Sequence, residues 1–198
     1  MDRKLRVVAR AAKKKAPDKI KIYIGLVAEA KTAEVANSIF SKKVALLNNI
    51  LSQSGFDKQD LKTENFIIDV NREWQNGMQV DNGYYAKADY TLLMDIDYIR
   101  LEKIISSITQ ALGIKVTYDV LLSDITELEN QVIELAVQDA KDKATLIAEY
   151  SGIRLGDIVY VDYQSAPSYA ALRASNDGMQ PSEDIEISKT IEMVWEII

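Results

Sequence analysis

The stretch from Lys19 to Glu29 alternates between apolar and polar side chains, and this pattern constrains the fold most. One set of side chains is apolar: Ile20, Ile22, Ile24, Leu26 and Ala28. The intervening positions include Lys19, Lys21, Tyr23 and Glu29. Because successive side chains of a strand point to opposite faces, the pattern predicts a half-buried β-strand with the isoleucines toward the core.

Further strands are indicated by short apolar or alternating runs. They are predicted at Leu5–Ala12, Phe66–Trp74, Tyr84–Met94, Ile114–Leu122, Asp157–Tyr163 and Ile185–Ile198. Pro17 breaks the chain after the first of them, because proline fixes φ and lacks an N–H donor. Asn76-Gly77 and Asn82-Gly83 are turn signals, so we expect a hairpin with a rather long connection between the strands on either side.

Three helices are predicted from apolar residues at helical spacing, together with typical start and stop residues. Thr32 begins the first helix, and Gly55 follows it in a position that favours a left-handed residue. Asp97 is a good N-cap for the second helix, which Gly113 ends. For the third helix, Thr126 and Glu129 have the spacing of a capping box, and Gly152 marks the end.

The order of elements is therefore β-β-α-β-β-α-β-α-β-β. Strands and helices do not alternate strictly, which favours an α+β fold with a mixed or mostly antiparallel sheet and three main helices. A length of 198 residues suits a single domain, 1–198. Two intimately packed lobes, with a boundary near residues 95–115, are the alternative arrangement.

Composition limits the chemistry that this chain can perform. It has no histidine and no cysteine, so Ser-His-Asp triads and thiolate or zinc–thiolate sites are excluded, and we expect no cofactor. Asp139 and Asp142 could share one helix face as a Mg²⁺ or acid–base pair, which leaves a carboxylate hydrolase as a minor alternative. The leading expectation is a protein that is not an enzyme.

The net charge of −6 argues against nucleic acid as a partner, because affinity for phosphate needs clustered Lys and Arg. Lys13, Lys14 and Lys15 are the local exception. Their simplest interpretation is a solvated strand end and turn, and the alternative is an anion-binding patch.

Residues 164–184 form a long connection, and such connections are often functional. Tyr163, Tyr169, Leu172 and Arg173 are its candidate interaction residues. A flexible connection, a subunit contact and a ligand lid are the three interpretations, and the first two are favoured.

The stretch from Asp139 to Gly156, "DAKDKATLIAEYSGIRLG", resembles a functional motif but has a structural interpretation. Asp139 and Lys143 have the spacing of a surface ion pair on a helix. A ladder of small side chains, Ala136, Ala140, Ala144 and Ala148, predicts close helix packing. Gly152 and Gly156 lie between a helix and a strand, the reverse of the order in a phosphate-binding loop.

Several segments together identify a resemblance to the SIMPL-domain family, also called DUF541, which includes the periplasmic immunogenic protein of Brucella and enterobacterial oxidative-stress proteins. The matching segments are "APDKIKIYIGLVAEAKTAEVAN", "LLNNILSQSGFDKQDLKTENFII", "GYYAKADYTLLMDIDYIRLEKII", "DAKDKATLIAEYSGIRLGDIV" and "EDIEISKTIEMVWEI". The Gly-x-Gly element usual in the family's first strand is absent, since "VVARAAKKK" stands there.

The resemblance implies a homo-oligomer with a stress-related or general unknown role, and it supplies no catalytic residues to transfer. A protein- or ligand-binding module that uses the 164–184 loop is the alternative function. The N-terminus has no apolar segment of the signal-peptide kind, and no run of residues is long and apolar enough for a membrane span. We therefore expect a cytoplasmic protein, or an envelope or periplasmic one if the chain has been trimmed.

Overall fold

The computed structural model describes residues 3–75, 77–163 and 184–198, which form seven strands and three helices. The strands are β1 (Lys4–Lys15), β2 (Lys19–Ala30), β3 (Leu61–Gln75), β4 (Met78–Asp95), β5 (Val116–Leu121), β6 (Leu155–Tyr163) and β7 (Ile185–Ile197). The helices are α1 (Ala33–Gln53), α2 (Tyr98–Leu112) and α3 (Thr126–Ser151). The predicted α+β class and element order are confirmed, and all strand pairs are antiparallel.

Contacts divide the chain into two compact units. The central unit spans residues 18–121 and contains a sheet of order β3-β4-β2-β5 with α1 and α2. The terminal unit includes residues 3–17, 122–163 and 184–198, and contains a sheet of order β1-β7-β6 with α3. The region 95–115, which the two-lobe alternative gave as its boundary, lies inside the central unit.

The core of the central unit is built on the alternating strand. Ile20, Ile22 and Leu26 of β2 are completely buried, as the alternation predicts. Buried side chains of α1 and α2 join the same cluster, among them Leu47 and Ile104. The two helices therefore cover one face of this sheet and leave its lysine- and tyrosine-bearing face uncovered by them.

Most predicted helix ends are confirmed. Thr32 Oγ1 accepts a hydrogen bond from Val35 N, and Asp97 Oδ1 accepts one from Arg100 N at 2.9 Å. Gly113 and Gly152 end their helices in the left-handed conformation, which glycine adopts without steric cost.

The prediction of a capping box at Thr126 is wrong. Thr126 is the first helical residue of α3, and the residue at the N-cap position, Ile125, provides no side-chain cap. Asp124 Oδ1 instead accepts from Thr126 N at 2.8 Å, so the carboxylate satisfies a free helix N–H from outside the expected motif. Glu129 is consequently available for a different contact, described below.

The prediction of a long hairpin connection is also wrong. β3 and β4 extend toward each other until only positions 76 and 77 separate them, with Gln75 opposite Met78. Gly83 lies inside β4 with φ 94°, beside an irregularity in the pairing with β3. A Cβ at Gly83 would lie 2.4 Å from the Ala30 carbonyl oxygen, so this glycine permits close backbone approach within the sheet.

In the terminal unit, α3 packs mainly against β1 and β7 through the predicted alanine ladder. Ala136, Ala140 and Ala144 are completely buried with Ile191, Met193 and Trp195 of β7. Leu135 and Ile147, which are adjacent in sequence to Ala136 and Ala148 of the ladder, are 45% and 41% exposed. Each residue step rotates the helix by about 100°, so only positions near the ladder reach the sheet.

The ladder predicts a strong size limit at its centre. Ala140→Leu should lower the free energy of unfolding by about 1–3 kcal/mol, because the extra atoms must displace a packed helix or sheet. Lys141→Leu, at an exposed position of the same helix, is the control and should change stability by less than about 0.5 kcal/mol. Chemical denaturation measures both variants, and equal effects would contradict close packing at the ladder.

Candidate interaction surfaces

One exposed apolar strand is β6, which lies at one edge of the three-stranded sheet. Its side chains Ile158, Val159, Tyr160, Val161 and Tyr163 are between 41% and 52% exposed. Val161 lies opposite Met193 of β7, on the face that α3 covers elsewhere, whereas Tyr160 lies opposite Val194 on the other face. The strand therefore presents apolar surface on both faces as well as along its edge.

An uncovered edge strand exposes N–H and C=O groups that can pair with another strand. Proteins usually prevent such pairing with lysine, proline, β-bulges or a covering element. β6 has no lysine and no proline, and its only charged residues are Asp157 and Asp162. Its pairing with β7 is irregular on either side of Ile158 and regular from Tyr160 to Tyr163, so the second half of the strand is the part best suited to pair with another strand.

The β3–β4 hairpin carries a second apolar surface, in the central unit. β3 is an edge strand, and its residues Phe66, Ile67 and Ile68 are 41–50% exposed. Toward the end of the hairpin, Trp74 is 75% exposed and Met78 is 69% exposed. Phe66 retains one ring contact, at 5.3 Å between centroids, with Phe40 of α1.

Tyr163 is the described member of the predicted interaction loop; Tyr169, Leu172 and Arg173 lie outside the described residues. The Tyr163 ring lies 5.8 Å from Lys189 Nζ, a cation–π distance. Lys189 in turn donates a 2.8 Å hydrogen bond to Glu129 Oε1 of α3. This strand-end tyrosine therefore lies beside a charge pair.

The Lys189 side chain is only 3% exposed, whereas that of Glu129 is 29% exposed. The hydrogen bond from Lys189 to Glu129 raises the pKa of Lys189 above its ordinary value of 10.5, against the effect of burial. Sequence reasoning did not predict this pair. The signal was present, because Lys189 interrupts the apolar series Ile185, Ile187, Ile191 and Met193 at a core-facing position.

The structure does not gather Lys13, Lys14 and Lys15 at one point. All three belong to β1, which continues to Lys15 instead of ending at Ala12, so these residues form the expected strand end but not the turn. Neighbouring side chains of a strand point to opposite faces. Lys13 Nζ donates to Gln131 Oε1 at 2.8 Å, and Lys14 Nζ lies 3.9 Å from Glu186.

The carboxylates of α3 have ordinary partners. Asp139 and Lys143 form the predicted surface pair at 2.6 Å, and Asp142 accepts a hydrogen bond from Gln138 at 2.8 Å. Within the described ranges, no group of three or more Asp or Glu side chains is arranged to hold a metal ion.

The uncovered face of the central sheet has a shallow polar depression of about 520 Å³. Its lining includes Lys21, Tyr23, Gly25, Asp89 and Lys115. At one side, Thr91 Oγ1 donates to Glu64 Oε1 at 2.9 Å, and Lys21 Nζ lies 3.8 Å from the same oxygen. The depression thus combines both signs of charge with hydroxyl groups.

Comparison with known families identifies the family of this protein. The chain belongs to the SIMPL family (DUF541), a family of unknown function whose model matches residues 5–195. The match confirms the resemblance read from the five sequence segments. A comparison with curated proteins found no match. Of the helices in the described part of the chain, none is long and apolar enough to cross a membrane.

The buried pair at Lys189 predicts an unequal response to mutation. Glu129→Ala should lower the free energy of unfolding by about 2 kcal/mol, because it leaves a buried ammonium group without its acceptor. Asp139→Ala breaks an exposed pair of similar length and should cost less than about 0.5 kcal/mol. Urea unfolding compares the two variants, and equal losses would contradict a structural role for Glu129.

The pH dependence gives an independent readout of the same pair. A pKa that is raised in the folded state adds stability below pH 10.5, and this stability is lost as the pH rises through the folded pKa. The stability difference between wild type and Glu129→Ala should therefore stay constant up to about pH 10 and shrink above it. A difference that does not change with alkaline pH would assign the effect to packing.

Proposed function

We propose that this protein acts by self-association through the β6 edge, and that it has no enzymatic activity of its own. The observation that carries the proposal is a nine-residue edge strand whose apolar side chains are 41–52% exposed and lie on both faces. A second copy of the chain can satisfy its free backbone groups and cover its side chains in one contact. The absence of histidine and cysteine supports the non-enzymatic part of the proposal.

The residues of β6 favour one register for a symmetric antiparallel pair. If Tyr160 lies opposite its counterpart, Asp157 faces Tyr163 and Asp162 faces Ile158. A symmetric pair whose register is shifted by one residue places Asp157 opposite Asp162, and like charges directly opposite each other are destabilising. The register centred on Tyr160 brings aromatic and β-branched side chains together and separates the four carboxylates.

Self-association predicts a specific effect of charge at this edge. Val161→Lys should shift the protein toward the monomer, because a lysine at an edge strand opposes strand pairing. Leu93→Lys is a matched control, since Leu93 is 50% exposed but lies in the other sheet, where it pairs with Lys21 of β2. Light scattering after size exclusion, across micromolar concentrations, measures the distribution.

Two outcomes would contradict the proposal. A wild-type protein that is monomeric at every concentration and salt condition contradicts self-association itself. An oligomer that Val161→Lys leaves intact, with an unchanged thermal melt, excludes β6 as the interface and directs attention to the β3–β4 hairpin.

We also propose a stress-related role, which rests on the family resemblance. A strain that lacks the gene should survive peroxide less well than its parent, and the wild-type gene should restore survival. The Val161→Lys gene, expressed at an equal level, should not restore it if the assembled form is the active one. Full restoration by this variant would separate the physiological role from assembly, and an unimpaired deletion strain would exclude the role.

A further inference from the structure

Gly25 is the one described glycine that neither backbone conformation nor crowding explains. Five of the seven described glycines have positive φ, namely Gly55, Gly77, Gly83, Gly113 and Gly152. Gly156 is crowded, because a Cβ there would lie 3.1 Å from Ile198. A Cβ at Gly25 would have Asp89 Oδ1 as its nearest neighbour, at 3.4 Å, which is an ordinary contact distance.

A glycine inside a strand has a cost, because it packs nothing and loses more conformational freedom on folding than alanine. Gly25 lies in the middle of β2, which pairs with β4 along its whole length. Glycine inside a strand often marks a bulge or the close approach of a ligand or another backbone, and the pairing of β2 with β4 is regular at Gly25. Because Gly25 has no side chain, it leaves a gap between Tyr23 and Val27 at the bottom of the polar depression.

The charged residues that line this gap are two of each sign. Lys21 and Lys115 supply two positive charges to the lining, and Glu64 and Asp89 supply two negative charges. Lys21 is engaged with Glu64, and Asp89 lies 3.7 Å from Lys87 with both side chains 48% exposed. Lys115 forms no ion pair with any residue that the structure describes.

The lining therefore offers a ligand the ammonium group of Lys115 and the carboxylate of Asp89, whose 3.7 Å separation from Lys87 is longer than a hydrogen bond. A molecule with only one charge leaves one of them unmatched, and a neutral lining gives no net attraction to a highly charged ligand. The hydroxyl of Thr117, opposite Tyr23 on β5, adds a further polar group to the lining.

We propose that the depression at Gly25 binds a small zwitterion of the α-amino acid class. Its ammonium group meets Asp89, its carboxylate meets Lys115, and its Cα region occupies the space above Gly25. The proposal is independent of self-association through β6, because the lining residues all belong to the central unit.

The test uses the full chain and the twenty common α-amino acids, added singly, with backbone amide chemical shifts as the readout. At least one amino acid should produce saturable shifts at Gly25, Asp89 and Lys115. Acetate and methylammonium, which carry one charge each, should bind at least about tenfold more weakly, because each lacks one charge-assisted hydrogen bond.

Variants locate the site. Gly25→Leu fills the depression and should abolish binding, whereas Val27→Leu, on the same face of β2, should leave it unchanged. Lys115→Gln changes an exposed side chain and should weaken binding about tenfold or more without altering the thermal melt, so it tests the site even if Gly25→Leu fails to fold.

Three results would overturn the proposal. The first is the absence of saturable shifts with every amino acid. The second is equal binding of acetate and an amino acid, which would define a simple anion site. The third is a set of shifts at Gly25 that depends on protein concentration without ligand, which would assign the depression to a second copy of the chain.

Discussion

The burial of one face of β2 is the interaction on which the central unit depends. This strand is an inner strand of its sheet, since it pairs with β4 on one side and with β5 on the other. Its apolar side chains meet α1 and α2 in one cluster. A shift of one residue in register would expose every isoleucine and bury the lysines, which the hydrophobic effect opposes strongly.

The same one-sided burial determines which surfaces remain available for function. The helices cover one face of the central sheet, and the opposite face keeps its lysines, tyrosine and threonines around Gly25. In the terminal unit, the contact surface of α3 is a ladder of alanines, so the helix packs closely against β1 and β7. β6 is the remaining strand of this three-stranded sheet, and its apolar side chains are exposed. The candidate interaction surfaces are therefore the parts of each sheet that the helices do not cover.

Local signals were sufficient for most of the fold and for little of the site. Thr32, Asp97, Gly113 and Gly152 were identified from sequence because caps depend on a few neighbouring residues. The capping box at Thr126 failed because Asp124 accepts from the Thr126 N–H, the group that Glu129 would have bound in a capping box. Gly83 was read as a turn because its contact, the Ala30 carbonyl, is distant in sequence and belongs to another strand.

The sequence by itself determined the α+β class, the element order, the buried face of β2 and family membership, because these follow from periodicity and from motifs spread along the chain. Only the tertiary structure decided that β6 is an edge, that Lys189 meets Glu129, and that Gly25 opens a polar depression. Each of these depends on which strands become neighbours. Strand order is set by contacts between residues far apart in the chain, and a periodic pattern carries no information about them.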